Sequence, residues 1–346
     1  MRHPGAGRPL YGIDAGGSHT SVRAWNGDSW NAPPLNPSSV GQEESDRRLS
    51  EFLAQLRAHA DRSCGPVGEL SRDACQTAGP VIWLASASID RATAGKETRR
   101  CATAASGAGL HARLLLSNDV TPLLLGSPPD TGHVIAVCGT GSGFLATNGR
   151  SAPVRVGGCE YLGSDEGSAF DLGLRGLRAA VRGLDGRGQR TTLSGLLAAD
   201  VGVPAAEHAR RLAQLPFPKS AVAALAPVVL GAWLDADPVA GELVDEAIGE
   251  LVLGVRAARD AAVLRVWRLS VVGGVMTGCP EFFARLATSA AGLGADPVEL
   301  IGDPAAAVLA ALTQLAGADR MQLSDPRIDR DVWSLELAEP NAERAD

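Results

Sequence analysis

The sequence lacks the patterns that would announce several common classes of protein. Its six cysteines, Cys64, Cys75, Cys101, Cys138, Cys159 and Cys279, form no C-x-x-C pair and no zinc-type spacing, so neither a disulfide framework nor a metal cluster is expected. No uninterrupted apolar run approaches the roughly 18 residues of a membrane span. The opening residues carry Arg2 and Arg8 without the apolar stretch of a secretory signal. A basic face is missing too: the net charge of −7 argues against nucleic acid or an anionic membrane as partner. A reducing cytoplasm is the expected setting.

What is present is an ordinary folded composition, 45% hydrophobic and 21% charged, which leaves no room for wholesale disorder. A length of 346 residues exceeds what one hydrophobic core usually serves, so two domains are expected, with a cleft between them. Two glycine-rich turns stand out, Gly12-Ile-Asp-Ala-Gly-Gly-Ser-His-Thr20 and Cys138-Gly-Thr-Gly-Ser-Gly143. Each follows an apolar run with β character (residues 10–13 and 134–138) and precedes another (residues 21–25 and 144–147). Glycine, lacking Cβ, lets successive backbone N–H groups converge on phosphate oxygens. One such turn means little, but the same hairpin met twice, with Asp119 between the copies, suggests a nucleotide phosphate chain gripped from two sides.

After the first hairpin, prolines and asparagines between residues 31 and 41 predict an ordered loop. Leu49, Phe52, Leu53 and Leu56 recur at helical spacing. Residues 81–85 read as a strand, 91–107 as a helix and 114–116 as a strand ending at Asn118 and Asp119. Ligands of open α/β sheets gather at the carboxyl ends of strands, which places Asp119 where a catalytic group belongs. The Pro128-Pro129 pair is the expected boundary, with an N-terminal domain over residues 1–126 and a C-terminal domain over 127–316. The latter turns a hairpin at Asn148-Gly149 and continues through a loop (157–167) and a helix (168–182). Residues 191–265 read as an α-rich insertion, and Asp185 to Gly188 as a surface turn before it. A strand (269–272), a helix (280–291), a strand (298–301) and a closing helix (304–315) complete the domain. Residues 317–346 are expected to be a loosely ordered polar tail.

This set of motifs resembles the N-acetylglucosamine kinase branch of the BadF/BadG/BcrA/BcrD ATPase family, within the actin-like sugar kinase superfamily. The resemblance spans roughly residues 10–315. It implies an α/β protein of duplicated ribonuclease-H-like domains flanking a nucleotide cleft, using ATP and Mg²⁺ to phosphorylate a sugar hydroxyl, the sugar being an amino sugar or N-acetylhexosamine. Carried over by position, Asp119 resembles the base that accepts the proton of the attacking hydroxyl, and Asp14 the metal carboxylate. Gly16, Gly17, Ser18 and Thr20 would meet the phosphates from one side, Gly139, Thr140 and Gly141 from the other. Gly273 and Gly274 would admit the adenosine. Asn36, Ser39, Asn118, Gly158 and Asp165 fall where the family's sugar contacts lie.

The pattern also departs from that family. Ala15 replaces a common glycine, Cys159 and Glu160 stand where Trp-Gly is expected, Ser164 replaces a glycine, and Gly143 stands where a polar side chain can touch the sugar. Glu160 makes a basic amino sugar or an aminocyclitol an alternative acceptor, and a non-kinase ATPase activator is a further alternative. Bland roles stand beside the sharp ones: Asp119 could cap the following helix, and Asp165 and Glu166 could complement a helix dipole. Leu, Val and Ala stripes between residues 221 and 263 suit core packing or a homodimer interface, and a homodimer is expected.

Overall fold

The computed structural model describes residues 8–63, 79–316, 323 and 325–337; Cys64 and Cys75 lie outside them. The chain divides into two compact units, Met1–Pro128 with Asp303–Asp346, and Pro129–Gly302. In the first, β1 (Leu10–Ala15), β2 (Thr20–Ala24) and β3 (Ser29–Ala32) make an antiparallel meander, followed by α1 (Pro37–Val40), α2 (Gln42–Ser63), β4 (Val81–Ser86), α3 (Ala94–Gly107) and β5 (Ala112–Ser117). β4 and β5 run parallel to β1, giving the strand order β5-β4-β1-β2-β3.

The central strands are apolar on both sides because both faces are covered. Along β4, Ile82 and Leu84 face a cluster with Leu49, Phe52, Leu53 and Leu56 of α2. Val81, Trp83 and Ala85 face the opposite cluster, with Leu115, Val308, Ala311 and Leu312. The strand's period of two thus sends alternate residues into two cores.

The second unit repeats the plan. β6 (Gly132–Cys138), β7 (Ser142–Thr147) and β8 (Val154–Gly157) form the meander, and β9 (Trp267–Val272) and β10 (Ala295–Ile301) lie parallel to β6, in the order β10-β9-β6-β7-β8. Between β8 and β9 come α4 (Glu160–Gly163), α5 (Ala169–Asp185), α6 (Leu193–Val201), α7 (Ala205–Leu212), α8 (Lys219–Ala223), α9 (Ala226–Leu234) and α10 (Pro238–Ala261). α11 (Gly274–Gly278) and α12 (Pro280–Gly292) lead from β9 to β10. The apolar stripe of α8 to α10 is largely core: Val222, Val229, Val244, Leu251 and Val255 are buried with β6 and β9. No single helix among the described residues is long and apolar enough to cross a membrane.

Three expectations change. The loop predicted over residues 31–41 contains the end of β3 and all of α1, whose cap is Asn36. The closing helix, α13 (Pro304–Ala316), belongs to the first unit and not to the C-terminal domain of residues 127–316, because Val308, Ala311 and Leu312 cover the Trp83 face of that sheet. The tail is not simply loose: β11 (Val332–Leu337) pairs antiparallel with β5 and covers the edge of the first sheet. Its alternation buries Val332 while Trp333, Leu335 and Leu337 pack beside Leu114 and Leu116.

A buried arginine secures this segment. Arg327, 1% exposed, holds Asp325 with two nitrogens and donates to the carbonyls of Leu124 (3.1 Å) and Ser127 (2.7 Å). Those carbonyls belong to the 3-10 turn Pro122–Gly126 and the residue after it. Arg327→Ala strands two buried acceptors and a carboxylate, a loss expected to be about 3 kcal/mol. Urea unfolding checks it; a loss below about 1 kcal/mol would contradict this account of the tail.

Candidate active site

In the first unit, Asp14 is the second-to-last residue of β1, between Ser21 of β2 and Ala85 of β4. The strand register therefore fixes its carboxylate at the carboxyl end of the sheet. Beyond it, Gly16 N–H donates to His19 O at 3.0 Å and closes the first turn, with Gly17 and Ser18 at its tip. Ser18 and His19 are exposed and share a 3.0 Å hydrogen bond. Thr20 points elsewhere: it is fully buried and its hydroxyl donates to Pro33 O at 3.0 Å, so its side chain anchors the following loop rather than lining the turn. Asn36 accepts Ser38 N–H at 2.9 Å as the cap of α1, with half-buried Ser39 in the same short helix.

Asp119 lies two residues past the end of β5. Trp83 Nε1 donates to Ser117 Oγ at 2.9 Å, and that hydroxyl donates to Asn118 O at 2.9 Å, which pins the strand end from the core side. The next turn closes through Thr121 N–H to Asn118 O at 3.2 Å. Its cap position is Thr121, and Asn118 Oδ1 accepts Val120 N–H at 3.4 Å.

The structure adds a residue that the sequence reading missed. Asp303 accepts Ala306 N–H at 2.9 Å at the start of α13 and pairs with Arg23 at 2.7 Å. Asp followed by Pro304 is a helix-start signature, and that was its only sequence signal. Asp14 is pushed up to about 7, first by burial and then by the Asp119 and Asp303 carboxylates. Asp14 and Asp119 thus share the carboxyl end of the first sheet's parallel strands, and a divalent cation would relieve the unfavourable charge on Asp14. Mg²⁺ needs only one or two protein carboxylates when substrate phosphates and water complete its shell, so this donor set suits it although no cluster of three ligating side chains is present among the described residues.

In the second unit, the turn between β6 and β7 has its carbonyls drawn inward. Ala169 N–H donates to Gly139 O (2.9 Å) and Phe170 N–H to Thr140 O (3.2 Å), satisfying the first donors of α5. Asp165 Oδ1 accepts Ser142 N–H at 2.9 Å, and Ser142 Oγ donates to Glu166 O at 2.8 Å. With the carbonyls so oriented, the Thr140 and Gly141 amides meet no acceptor among the described residues, and they form the donor pair expected of a phosphate turn. Gly141 has to be glycine, since a Cβ there would lie 2.5 Å from Asp165 Oδ1. Gly273, with φ +128, is packed so that a Cβ would lie 2.2 Å from Cys138 O, which brings Gly273 and Gly274 beside this turn.

Asp165 itself is 3% exposed with φ +77, so it braces the turn from beneath. Its other oxygen pairs with Lys219 at 2.8 Å, and Lys219 also reaches Glu160 at 2.7 Å. Burial works against the Lys219 ammonium, but the Asp165 and Glu160 carboxylates outweigh it and raise its pKa above the ordinary lysine value. Sequence reading missed Lys219 because its partners lie far away along the chain. The departures in the 157–167 loop fit one another: Cys159 N–H donates to Ser164 Oγ (2.7 Å) and Ser164 N–H to Glu160 O (2.8 Å), closing α4. Gly158, with φ +69, lies against Gly143.

The Asp14 shift carries a pH consequence. A carboxyl that holds its proton more tightly when folded stabilises the fold below its unfolded value of 3.8 and loses that contribution as pH rises toward about 7. Without nucleotide or metal, Asp14→Asn is therefore expected to melt several degrees above wild type at pH 8, with the gain shrinking toward pH 4. Melting curves across that range check it, and a pH-independent difference would contradict it.

Comparison with known proteins follows the same lines. The profile of the BadF/BadG/BcrA/BcrD ATPase family matches residues 118–281. The N-acetylmuramic acid/N-acetylglucosamine kinase of Clostridium acetobutylicum is 26% identical over 275 residues, covering 77% of this chain and 85% of that protein. Among solved structures, a putative N-acetylglucosamine kinase from Porphyromonas gingivalis superposes with a TM-score of 0.65 at 16% identity, covering 89% of this chain and 99% of its own. Another from Chromobacterium violaceum gives 0.62 at 23% identity, covering 88% and 99%. A ROK family glucokinase from Streptomyces griseus gives 0.51 at 14%, covering 88% and 99%. The fold is thus that of these solved structures, and residues 118–281 match the BadF/BadG/BcrA/BcrD ATPase family.

Proposed function

We propose that the protein is an ATP-dependent sugar kinase that transfers the γ-phosphoryl of ATP to a hydroxyl of an amino sugar or N-acetylhexosamine. The observation that carries this reading is that Asp14 near the end of β1 and Asp119 just past the end of β5 lie at the same, carboxyl end of the parallel strands of the first sheet. Phosphoryl transfer asks for little covalent chemistry and much alignment, with a metal carboxylate, backbone donors and one acceptor for the nucleophile's proton. Asp14 would hold a Mg²⁺ that neutralises charge on the phosphates. Asp119 accepts the proton of the attacking hydroxyl. The amide of Gly17, and those of Thr140 and Gly141, donate to phosphate oxygens, with Gly16 closing the first turn through its bond to His19 O, Ser18 at the turn's tip, and Gly273 and Gly274 beside the adenosine.

Asn36, Ser39, Asn118 and Gly158 are the proposed sugar contacts, whereas Asp165, also expected among them, is turned to Ser142 and Lys219 instead. The relative from Clostridium acetobutylicum makes N-acetylglucosamine and N-acetylmuramic acid the first acceptors to try. A basic aminocyclitol is the weaker candidate, because the Glu160 charge that would attract it is already paired with Lys219 at 2.7 Å.

A coupled assay of ADP release, run with and without these sugars, tests the proposal. Release is expected to depend on the acceptor; equal release without any sugar would overturn the kinase reading in favour of a simple ATPase. In the same assay Asp119→Asn should lose about 10²- to 10⁴-fold in kcat while keeping its affinity for ATP, and turnover close to wild type would exclude Asp119 as the base.

A further inference from the structure

Lys219 and Lys96 are the only lysines among 32 basic residues, and Lys219 sits where no sequence motif pointed. It opens α8, whose Val222 and Ala223 are buried in the same core as Phe170 and Leu172 of α5, so its stem starts from a fixed base. Its side chain is 17% exposed and its Nζ lies 2.7 Å from Glu160 Oε2 and 2.8 Å from Asp165 Oδ2. A compact ammonium can face two carboxylates from different directions at once, which the planar fork of an arginine does less readily.

Asp165 is the pivot of this arrangement. Its side chain is 4% exposed, its backbone adopts the left-handed conformation with φ +77, and its two oxygens do different things. Oδ1 accepts the Ser142 N–H at 2.9 Å and fills the space that a Cβ on Gly141 would need. Oδ2 faces Lys219. A carboxylate buried this deeply is unfavourable without a compensating charge, and without Lys219 it would turn away toward water. That change releases Ser142 and frees the turn whose Thr140 and Gly141 amides meet no acceptor among the described residues.

We infer that Lys219 is a positioning residue that touches no phosphate itself: by compensating Asp165 it holds the Ser142 amide and so sets the direction of the second phosphate turn. The inference rests on the kinase reading, since that reading makes the turn a nucleotide contact, and it goes beyond it by giving the α-rich insertion a part in nucleotide binding. Glu160 supplies a second partner that keeps the ammonium from leaving, and thereby ties the 157–167 loop to the same charge.

Isothermal titration of wild type, Lys219→Met and the double variant Asp165→Asn with Lys219→Met, using ADP with MgCl₂ as the probe, tests this, with melting curves on each protein. Lys219→Met is expected to bind ADP about tenfold more weakly. The double variant has no buried unpaired charge and keeps an amide oxygen for Ser142, so it should recover to within about threefold of wild type. Recovery on removing a second charge is a result that loss of packing alone would not give. Wild-type affinity in folded Lys219→Met, or a folded double variant as weak as the single, would overturn the inference. If Lys219→Met does not fold, the double variant decides alone by the same criterion. Failure of the wild type to bind ADP would instead overturn the kinase reading, and this inference with it.

Discussion

A buried carboxylate, Asp14, sits at the carboxyl end of the first sheet under the influence of two others from distant points of the chain, Asp119 and Asp303, and the first unit has to hold it there. Like charges in a half-buried place repel, and the fold has to supply enough apolar burial elsewhere to hold them. It does so with two cores, one on each face of the sheet, and with local fasteners at each acid. The β1 register fixes Asp14, the Trp83–Ser117–Asn118 chain of hydrogen bonds fixes the turn of Asp119, and Arg23 with the start of α13 fixes Asp303. The raised pKa of Asp14 records what remains uncompensated. A site that is unfavourable when empty and relieved by a cation is the familiar exchange of stability for function.

The second unit solves the complementary problem, presenting backbone donors instead of acids. It has the same strand order, yet its long helical insertion between β8 and β9 has no counterpart between β3 and β4, where only α1 and α2 are described. The carbonyls of Gly139 and Thr140 are spent on the N-terminus of α5, which leaves the amides facing outward. Asp165 braces that turn, and Lys219 from the insertion compensates Asp165. The Asp165 oxygens are thus held by one hydrogen bond and one ion pair.

Much of this was legible in the sequence where the physics is local. The two glycine turns, the strands before and after them, and Asp119 at the end of an apolar run were readable because side-chain alternation and turn chemistry act over a few residues. β3 and β8 were not readable: each has four residues, and Ser29–Ala32 runs into prolines that signal a loop. β11 was masked by its polar surroundings, although Trp333, Leu335 and Leu337 alternate as a half-buried strand should; its partner β5 lies more than 200 residues earlier. Asp303, Lys219 and Arg327 share that cause. Each acquires its role from a neighbour brought close only by folding, as in the 2.8 Å pair of Lys219 with Asp165, and no spacing rule reaches that far. Thr20 shows the converse, since a motif position predicted to face a ligand is turned inward to Pro33.

The central claim is that the γ-phosphoryl of ATP passes to a sugar hydroxyl and not to water. The most direct measurement follows ATP labelled with ¹⁸O in the γ-phosphoryl group, incubated with the protein, MgCl₂ and N-acetylglucosamine or N-acetylmuramic acid, by mass spectrometry of the products. The account predicts that the labelled oxygens appear in a sugar phosphate monoester in step with ADP. Label recovered only as inorganic phosphate, at the same rate with and without sugar, would contradict it.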